Sequence, residues 1–148
     1  MSTYTQILYH IVYSTKGRQR TVTPGKKVDL FKYLHGVLAN KQCHLYRING
    51  TEDHIHLLTH IHPAISLSSM IKDMKISSSK FIKETQLFPK FSGWQDGYGA
   101  FTHSIKEKER LINYIKNQEK HHLKTSFKEE YIRLLEEHDI EFKEEYLF

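Results

Sequence analysis

Cysteine is nearly absent from this sequence: Cys43 is the only one among 148 residues. A single cysteine forms no internal disulfide, so a disulfide-bonded secreted domain is excluded and a reducing cytoplasm is expected. Long apolar runs are also lacking, since stretches such as residues 7–13 are too short and too polar to cross a bilayer. Residues 1–20 lack the charged-then-apolar layout of a signal peptide. We therefore expect a cytoplasmic protein with no membrane partner.

Acidic residues are scarce in most of the chain and concentrated at its end. Residues 125–148 hold three basic and eight acidic residues, whereas residues 1–124 hold 19 basic and nine acidic residues, a net charge of +10. The length fits one domain over residues 1–148, with an acidic helical tail at about 125–148. A basic body of this size suggests a polyanionic partner, although solubility alone is an equal explanation.

Hydrophobic periodicity predicts four strands and four helices. The strands are expected at about residues 5–14, 43–50, 53–61 and 94–105. The helices are expected at about 24–42, from Ser66 to beyond Ile82, at about 107–122 and at about 126–138. The order βαββαβ followed by a further helix predicts an α+β, ferredoxin-like fold, an antiparallel sheet with helices on one face plus C-terminal helices. This fold has many functions, so it does not identify one.

Two histidines share one face of the third predicted strand. His54 and His56 are one residue apart, and alternate residues of a strand point the same way. Two imidazoles on one rigid face can hold a divalent metal. The spacing alone is a weak signal, because the chain has 11 histidines and a second pair, His60 and His62, has the same spacing. A chance pair in a histidine-rich chain is the alternative.

Tyr114 and Gln118 are four residues apart on the third predicted helix, so they share a helical face. A phenol and an amide presented toward two strand histidines would form a compact site. The alternative is a half-buried tyrosine beside a surface glutamine, since tyrosine and glutamine are both common in this chain.

Together these segments resemble a known family. The sequence is similar to the single-tyrosine HUH transposases of small bacterial insertion sequences (the IS-two-hundred group) and to the REP-associated tyrosine transposases, where U is a large apolar residue. The resemblance covers nearly the whole chain. The matching stretches are LYHIVYSTKGR, DHIHLL, MIKDMKISSSKFI, WQDGYGAF, YIKNQEKHH and the tail SFKEEYIRLL.

The resemblance implies a role for each matching residue. His54-Ile55-His56 would be the HUH pair, Gln118 the third metal ligand and Tyr114 the nucleophile that forms a 5′-phosphotyrosine and leaves a free 3′-OH. It also implies a divalent metal, Mg²⁺ or Mn²⁺, and single-stranded DNA with hairpin ends as the substrate. Finally, it implies a homodimer with active sites shared between subunits.

Basic residues in two places are candidates for DNA binding. The first predicted loop carries Lys16, Arg18 and Arg20, and one face of the second predicted helix carries Lys72, Lys75 and Lys83. A solvated helix face is the alternative for the lysines. Three aromatic residues are candidates either for stacking on unpaired bases or for a core cluster, and they are Trp94, Tyr98 and Phe101.

Three other functions compete with transposition. A replication- or relaxase-type nickase uses the same chemistry, but 148 residues leave no room for a helicase or origin-binding module. A catalytically inactive nucleic-acid-binding protein of the same fold is disfavoured by the intact set of candidate site residues. A structural zinc protein would use both histidine pairs, His54/His56 and His60/His62.

Overall fold

A computed structural model of the chain describes residues 2–147. The strands are β1 (Leu8–Ser14), β2 (His44–Gly50), β3 (His54–His60) and β4 (Gly99–His103). The helices are α1 (Lys27–Asn40), α2 (Leu67–Thr85), α3 (Lys108–Lys116), α4 (Gln118–His121) and α5 (Phe127–Glu137). Within the described residues, no helix combines the length and the apolar character that crossing a membrane requires.

The four strands form one sheet in the order β2-β3-β1-β4, with every neighbouring pair antiparallel. The hairpin of β2 and β3 lies at one side, and β1 is central between β3 and β4. This order and the alternation with α1 and α2 are those of the predicted βαββαβ fold, which is confirmed.

The two faces of the sheet have different neighbours because strand side chains alternate. Ile11, Tyr13 and Leu57 belong to the larger core cluster, which also includes residues of α1 and α2. Val12 on the opposite face packs in a cluster with α5, and Leu58 packs in a cluster with α3. The histidines at positions 54 and 56 have the same parity as Leu58, so they face α3 and α5.

The structure departs from the predicted elements at two places. The fourth strand is short because residues 94–98 form a loop, where Gly97 has a φ of 86° and Trp94 makes one isolated bridge to Thr15. The third predicted helix is divided at Asn117 into α3 and α4. Asn49 on β2 donates hydrogen bonds to the carbonyls of Ile115 and Lys116, each at 3.1 Å, and so holds the end of α3.

The acidic tail does not extend away from the protein. Ser126 caps α5 by accepting a hydrogen bond from the backbone N–H of Glu129, as is common at helix starts. The buried face of α5 packs Phe127, Tyr131 and Leu134 against Phe101 on β4. As a result, α5 covers the sheet face that carries the candidate histidines.

Candidate active site

The two HUH histidines lie at the start of β3 and are fully buried. Nε2 of His54 lies 3.3 Å from Oε1 of Gln118. The ring of His56 meets the ring of Tyr114 edge-on, with 5.8 Å between the centroids. The structure therefore brings together all four residues that the sequence proposed for the site.

Gln118 and Tyr114 reach this position although their helix is interrupted between them. Gln118 is the first residue of α4 and is fully buried, whereas Tyr114 lies in the last turn of α3. The hydrogen bonds from Asn49 fix the junction between the two helices. The side-chain amide of Gln118 thus faces His54 from the opposite side of the site.

The ring orientation of His54 is set by its neighbour Asp53. Nδ1 of His54 lies 2.7 Å from a carboxylate oxygen of Asp53, and the hydroxyl of Thr51 lies 3.1 Å from the same nitrogen. A carboxylate only accepts hydrogen bonds, so Nδ1 carries a proton and Nε2 is turned toward the site. This is the arrangement by which proteins hold a metal-binding imidazole.

His56 is held in its neutral form by burial. Burial lowers the pKa of His56 to about 4, while the negative charge of Glu130 acts in the opposite direction. A neutral imidazole is the form that binds a metal. His56 is therefore ready to act as a ligand at neutral pH.

Sequence reasoning missed several residues at this site, among them His10, His122 and Glu130. Glu130 is fully buried on α5, and Tyr114 donates a short hydrogen bond to its Oε2. His122 follows α4, and His10 lies on β1 against His56. The sequence contained one indication of Glu130. It lies three residues after Phe127 on the apolar face of an amphipathic helix, where a charged side chain is unusual.

The hydroxyl of Tyr114 is protonated at neutral pH. Burial raises its pKa above that of a free phenol, and the negative charge of Glu130 raises it further. Arg133 acts in the opposite direction by donating a hydrogen bond of 3.1 Å to the hydroxyl. The site therefore holds a neutral phenol beside one cation and one carboxylate.

Donor atoms from four side chains converge at the centre of the site. One atom from each of His54, His56, His122 and Glu130 lies within 4.8 Å of the other three. Oε1 of Gln118 lies 3.0 Å from Nε2 of His122. Imidazole nitrogens with carboxylate and amide oxygens form a donor set that divalent metals bind, so the residues present fit a metal ion.

The second histidine pair does not join this cluster. Nδ1 of His60 accepts a hydrogen bond from the backbone N–H of Ile7, and Nδ1 of His62 accepts one from the N–H of Ala64. Each of these two imidazoles thus accepts a hydrogen bond from a backbone N–H group. Among the described residues, the converging metal-type group contains neither of them, so the four-histidine zinc site is not formed.

The candidate lysines of α2 line a groove of about 680 Å³ between that helix and the loop 94–98. Lys72 and Lys83 are exposed there. Lys75 has a structural role in addition, because its ammonium donates hydrogen bonds of 2.8 Å and 2.6 Å to the carbonyls of Gln95 and Gly97. The groove and the metal-type cluster lie on opposite faces of the sheet.

The candidate residues of the first loop lie nearer the cluster. Lys16 and Arg18 belong to a short 3-10 turn after β1. Arg18 and Arg20 line a pocket of about 390 Å³ whose walls also include Asp53 and His122. This pocket therefore leads from basic side chains to the edge of the cluster.

Only one of the three candidate stacking aromatics is available at the surface. Trp94 is buried and donates a hydrogen bond of 2.9 Å from Nε1 to Ser78, and Phe101 is buried against α5. Burial of these two rings supports the core interpretation for Trp94 and Phe101. Tyr98 is exposed and lines the groove.

Comparisons with known proteins find relatives by sequence and by fold. The ISDra2 transposase TnpA of Deinococcus radiodurans is 25% identical over 118 residues, which cover 76% of this chain and 84% of the relative. A crystal structure of a candidate transposase from Deinococcus radiodurans has a TM-score of 0.62 at 22% identity and covers 80% of this chain and 95% of that one. A REP-associated tyrosine transposase bound to a REP hairpin has a TM-score of 0.57 at 15% identity and covers 79% of this chain and 72% of that one. Residues 3–118 match the family described as IS200-like transposases, and the chain belongs to that family.

Proposed function

We propose that this transposase cuts and rejoins single-stranded DNA by transesterification, with Tyr114 as the nucleophile. The observation that carries the proposal is the position of the Tyr114 side chain, whose ring meets His56 and whose hydroxyl contacts Glu130 beside the converging donor atoms. The candidate nucleophile thus lies beside the atoms that would hold a metal ion, which is where a scissile phosphate bound to that ion would be placed.

In the proposed step, the hydroxyl oxygen of Tyr114 attacks the scissile phosphorus. The new bond joins that oxygen to phosphorus, and the bond from phosphorus to the 3′ oxygen breaks. The phenol proton is released to water, and the departing 3′ oxygen takes a proton from water, so no proton is gained or lost overall. The product is a 5′-phosphotyrosine with a free 3′-OH, so the bond energy is retained and the reverse reaction rejoins strands without ATP.

Arg133 and burial have opposite effects on the reactivity of Tyr114. The cationic Arg133 favours the phenolate, because it donates a hydrogen bond to the hydroxyl oxygen. Burial has the opposite effect and keeps the phenol neutral until substrate arrives. Arg133 therefore stabilises negative charge on the attacking oxygen as the reaction proceeds.

We propose that His54, His56 and Gln118 hold a divalent metal, Mg²⁺ or Mn²⁺. Such an ion, when bound, polarises the phosphate and offsets its developing negative charge. The chain's own contribution is orientation: Asp53 holds His54, and burial keeps His56 neutral. The amide of Gln118 adds an uncharged oxygen donor 3.3 Å from Nε2 of His54.

The proposed substrate is single-stranded DNA with a hairpin near the end of the element. One structural neighbour is bound to a REP hairpin. In this chain, the exposed Lys72 and Lys83 and the pocket beside Arg20 offer cations for phosphates on two surfaces.

A homodimer is part of the proposal, as the resemblance implies. The described chain brings its own Tyr114 to its own His56. A site shared between subunits would require α3 to leave this position and reach the histidines of a second copy. An active site shared between two subunits thus stays a prediction, which a heterodimer of two different inactive variants can test.

The function is tested by incubating the protein with a labelled single strand that carries the element end and its hairpin, in Mn²⁺ or Mg²⁺. We expect a labelled product that keeps its protein through denaturing electrophoresis. EDTA and His56→Ala should each abolish it while hairpin binding persists. Cleavage that continues undiminished in EDTA would contradict the metal role, and absence of any covalent product from a bound substrate would contradict the proposed function.

A further inference from the structure

The part of the chain beyond the family match supplies two residues to the centre of the site. The match ends at residue 118, yet His122 and Glu130 lie among the converging donor atoms. Glu130 is fully buried, and α5 holds it there through the packing of Phe127 and Tyr131 on either side. The C-terminal segment is thus built into the site.

The two carboxylate oxygens of Glu130 face different groups. Oε1 lies 2.9 Å from Nε2 of His56, 3.0 Å from Nε2 of His122 and 3.3 Å from Nε2 of His54. Oε2 instead accepts hydrogen bonds from the Tyr114 hydroxyl and from the amide of Gln118. Oε1 therefore contacts the three histidines, and Oε2 contacts the candidate nucleophile.

The histidines turn lone pairs toward that first oxygen. Nδ1 of His122 lies 2.7 Å from the carbonyl of Thr125, which only accepts, so Nδ1 carries the proton, as it does in His54 beside Asp53. In the neutral rings Nε2 is then an acceptor that faces another acceptor, the oxygen of Glu130. Converging acceptors repel unless positive charge lies among them, and either a bound cation or protons on the Nε2 atoms can supply that charge.

We propose that His122 and Glu130 are metal ligands in addition to His54, His56 and Gln118, which makes the site one of three imidazoles, one carboxylate and one amide. The inference rests on the proposed metal site and extends its ligand set. Ligand atoms about 2.1 Å from one ion lie about 3.0 Å apart at right angles and about 3.4 Å apart at tetrahedral angles. The distances of 2.9, 3.0 and 3.3 Å from Oε1 to the three nitrogens match these separations.

This ligand set has two consequences. Nitrogen-rich sites prefer transition ions, whereas Mg²⁺ prefers oxygen ligands and water, so Mn²⁺ or Zn²⁺ should bind more tightly than Mg²⁺. Because Glu130 lies on α5, metal binding should also hold the C-terminal helix in place. A bound ion would thereby fix the position of α5, and with it the Glu130 carboxylate that accepts the hydrogen bond from Tyr114.

The test is metal affinity of the whole protein, measured by titrating it with Mn²⁺ and following the free ion by electron paramagnetic resonance. Glu130→Gln and His122→Gln should each weaken binding at least ~10-fold, because loss of even an outer partner of a ligand costs that much. Glu129→Gln is the matched control, since Glu129 is the exposed neighbour on the same helix, and it should bind as the wild type does.

Pulsed electron paramagnetic resonance of bound Mn²⁺ gives a second measurement that needs no Glu130 variant. We expect three coordinated imidazole nitrogens in the wild type and two in His122→Gln. Two coordinated imidazole nitrogens in the wild type would overturn the inference. Unchanged or tighter Mn²⁺ binding by a folded Glu130→Gln would overturn it as well. That result would mean that the Glu130 carboxylate only occupies the position that the substrate phosphate takes. If His56→Ala loses the metal while Glu130→Gln keeps it, the inference fails and the proposed function stands.

Discussion

His10 and His56 form a buried imidazole pair on neighbouring strands: Nε2 of His10 lies 2.8 Å from Nδ1 of His56, and the rings stack with centroids 5.1 Å apart. The register of β1 and β3 creates the contact, because His56 is opposite Val12 and His10 is its diagonal neighbour on the same face. In His54 the same ring nitrogen, Nδ1, contacts the carboxylate of Asp53 instead. His10 is therefore a positioning residue for His56.

Replacing His10 should weaken metal binding without touching a ligand. His10→Leu removes the hydrogen-bond partner of Nδ1 of His56, and we expect about a 10- to 100-fold loss of Mn²⁺ affinity. His10→Gln, whose amide reaches the position of Nε2, should restore most of it, whereas the shorter His10→Asn should not. Equal affinity for the leucine and glutamine variants would show that the contact is only packing.

The metal-free protein should lose stability as the pH falls from 6.5 toward 4. Burial lowers the pKa of His56 to about 4, and burial together with His56 lowers that of His10 well below its usual value. As the pH falls below about 6.5, these histidines are protonated in the unfolded chain but stay neutral in the folded chain, so the free energy of unfolding decreases. The raised pKa of His54 acts in the opposite direction, because the folded chain binds that proton at a higher pH than the unfolded chain does, and this contribution is nearly complete once the pH is below about 6.

Urea unfolding in EDTA at pH 6, 5.5 and 5 measures this effect. The midpoint should fall at each step, and His10→Gln should make the decline shallower because one of the two depressed groups is gone. A midpoint that stays level or rises between pH 6 and pH 5 would rule out buried neutral histidines at this site.

Lysines of the α2 groove should contribute salt-dependent affinity for hairpin DNA. If Lys72 and Lys83 each neutralise a phosphate, Lys72→Gln and Lys83→Gln should each lower the slope of log K against log salt by about 0.7 to 0.9. Lys32→Gln on α1 is the control, since Lys32 is exposed but outside the groove. Slopes that match the control would place the DNA elsewhere. Lys75 is a poor choice for this test because it also holds the loop 94–98.

Mixed dimers decide whether active sites are shared. α3 is anchored to its own sheet, because Leu111 and Ile115 are buried against it and Asn49 holds the end of the helix. If each chain keeps its own site when DNA binds, a heterodimer of Tyr114→Phe and His56→Ala stays inactive, because each of its two sites then lacks one essential residue. Recovery of cleavage in a verified heterodimer, with the adduct only on the His56→Ala chain, would instead establish the shared arrangement that the resemblance implies.

Local sequence patterns predicted the parts of the site that depend on local geometry. The two-residue spacing places His54 and His56 on one strand face, and the helical spacing places Tyr114 and Gln118 side by side. The break at Asn117 was not predictable, because it depends on Asn49, 66 residues before the carbonyl of Ile115 that it holds. A helix junction fixed by a distant side chain leaves no local signal.

The remaining site residues were missed because they are distant in sequence. His10, His122 and Glu130 meet only once β1 pairs with β3 and α5 covers the sheet. Glu130 was the most accessible of the three to sequence reasoning. It is a carboxylate on the apolar stripe of α5, and a charged group in such a position is rarely buried unless it has a partner.

The identity of the nucleophile is tested most directly by mapping the covalent adduct. The protein is reacted with a single-stranded hairpin substrate in Mn²⁺ and digested, and tandem mass spectrometry locates the nucleotide. The account predicts a 5′-phosphate ester on Tyr114 alone, absent from Tyr114→Phe and retained in Tyr131→Phe, where Tyr131 is the neighbouring tyrosine on α5. An adduct on any other tyrosine, or one of undiminished yield in Tyr114→Phe, would contradict it.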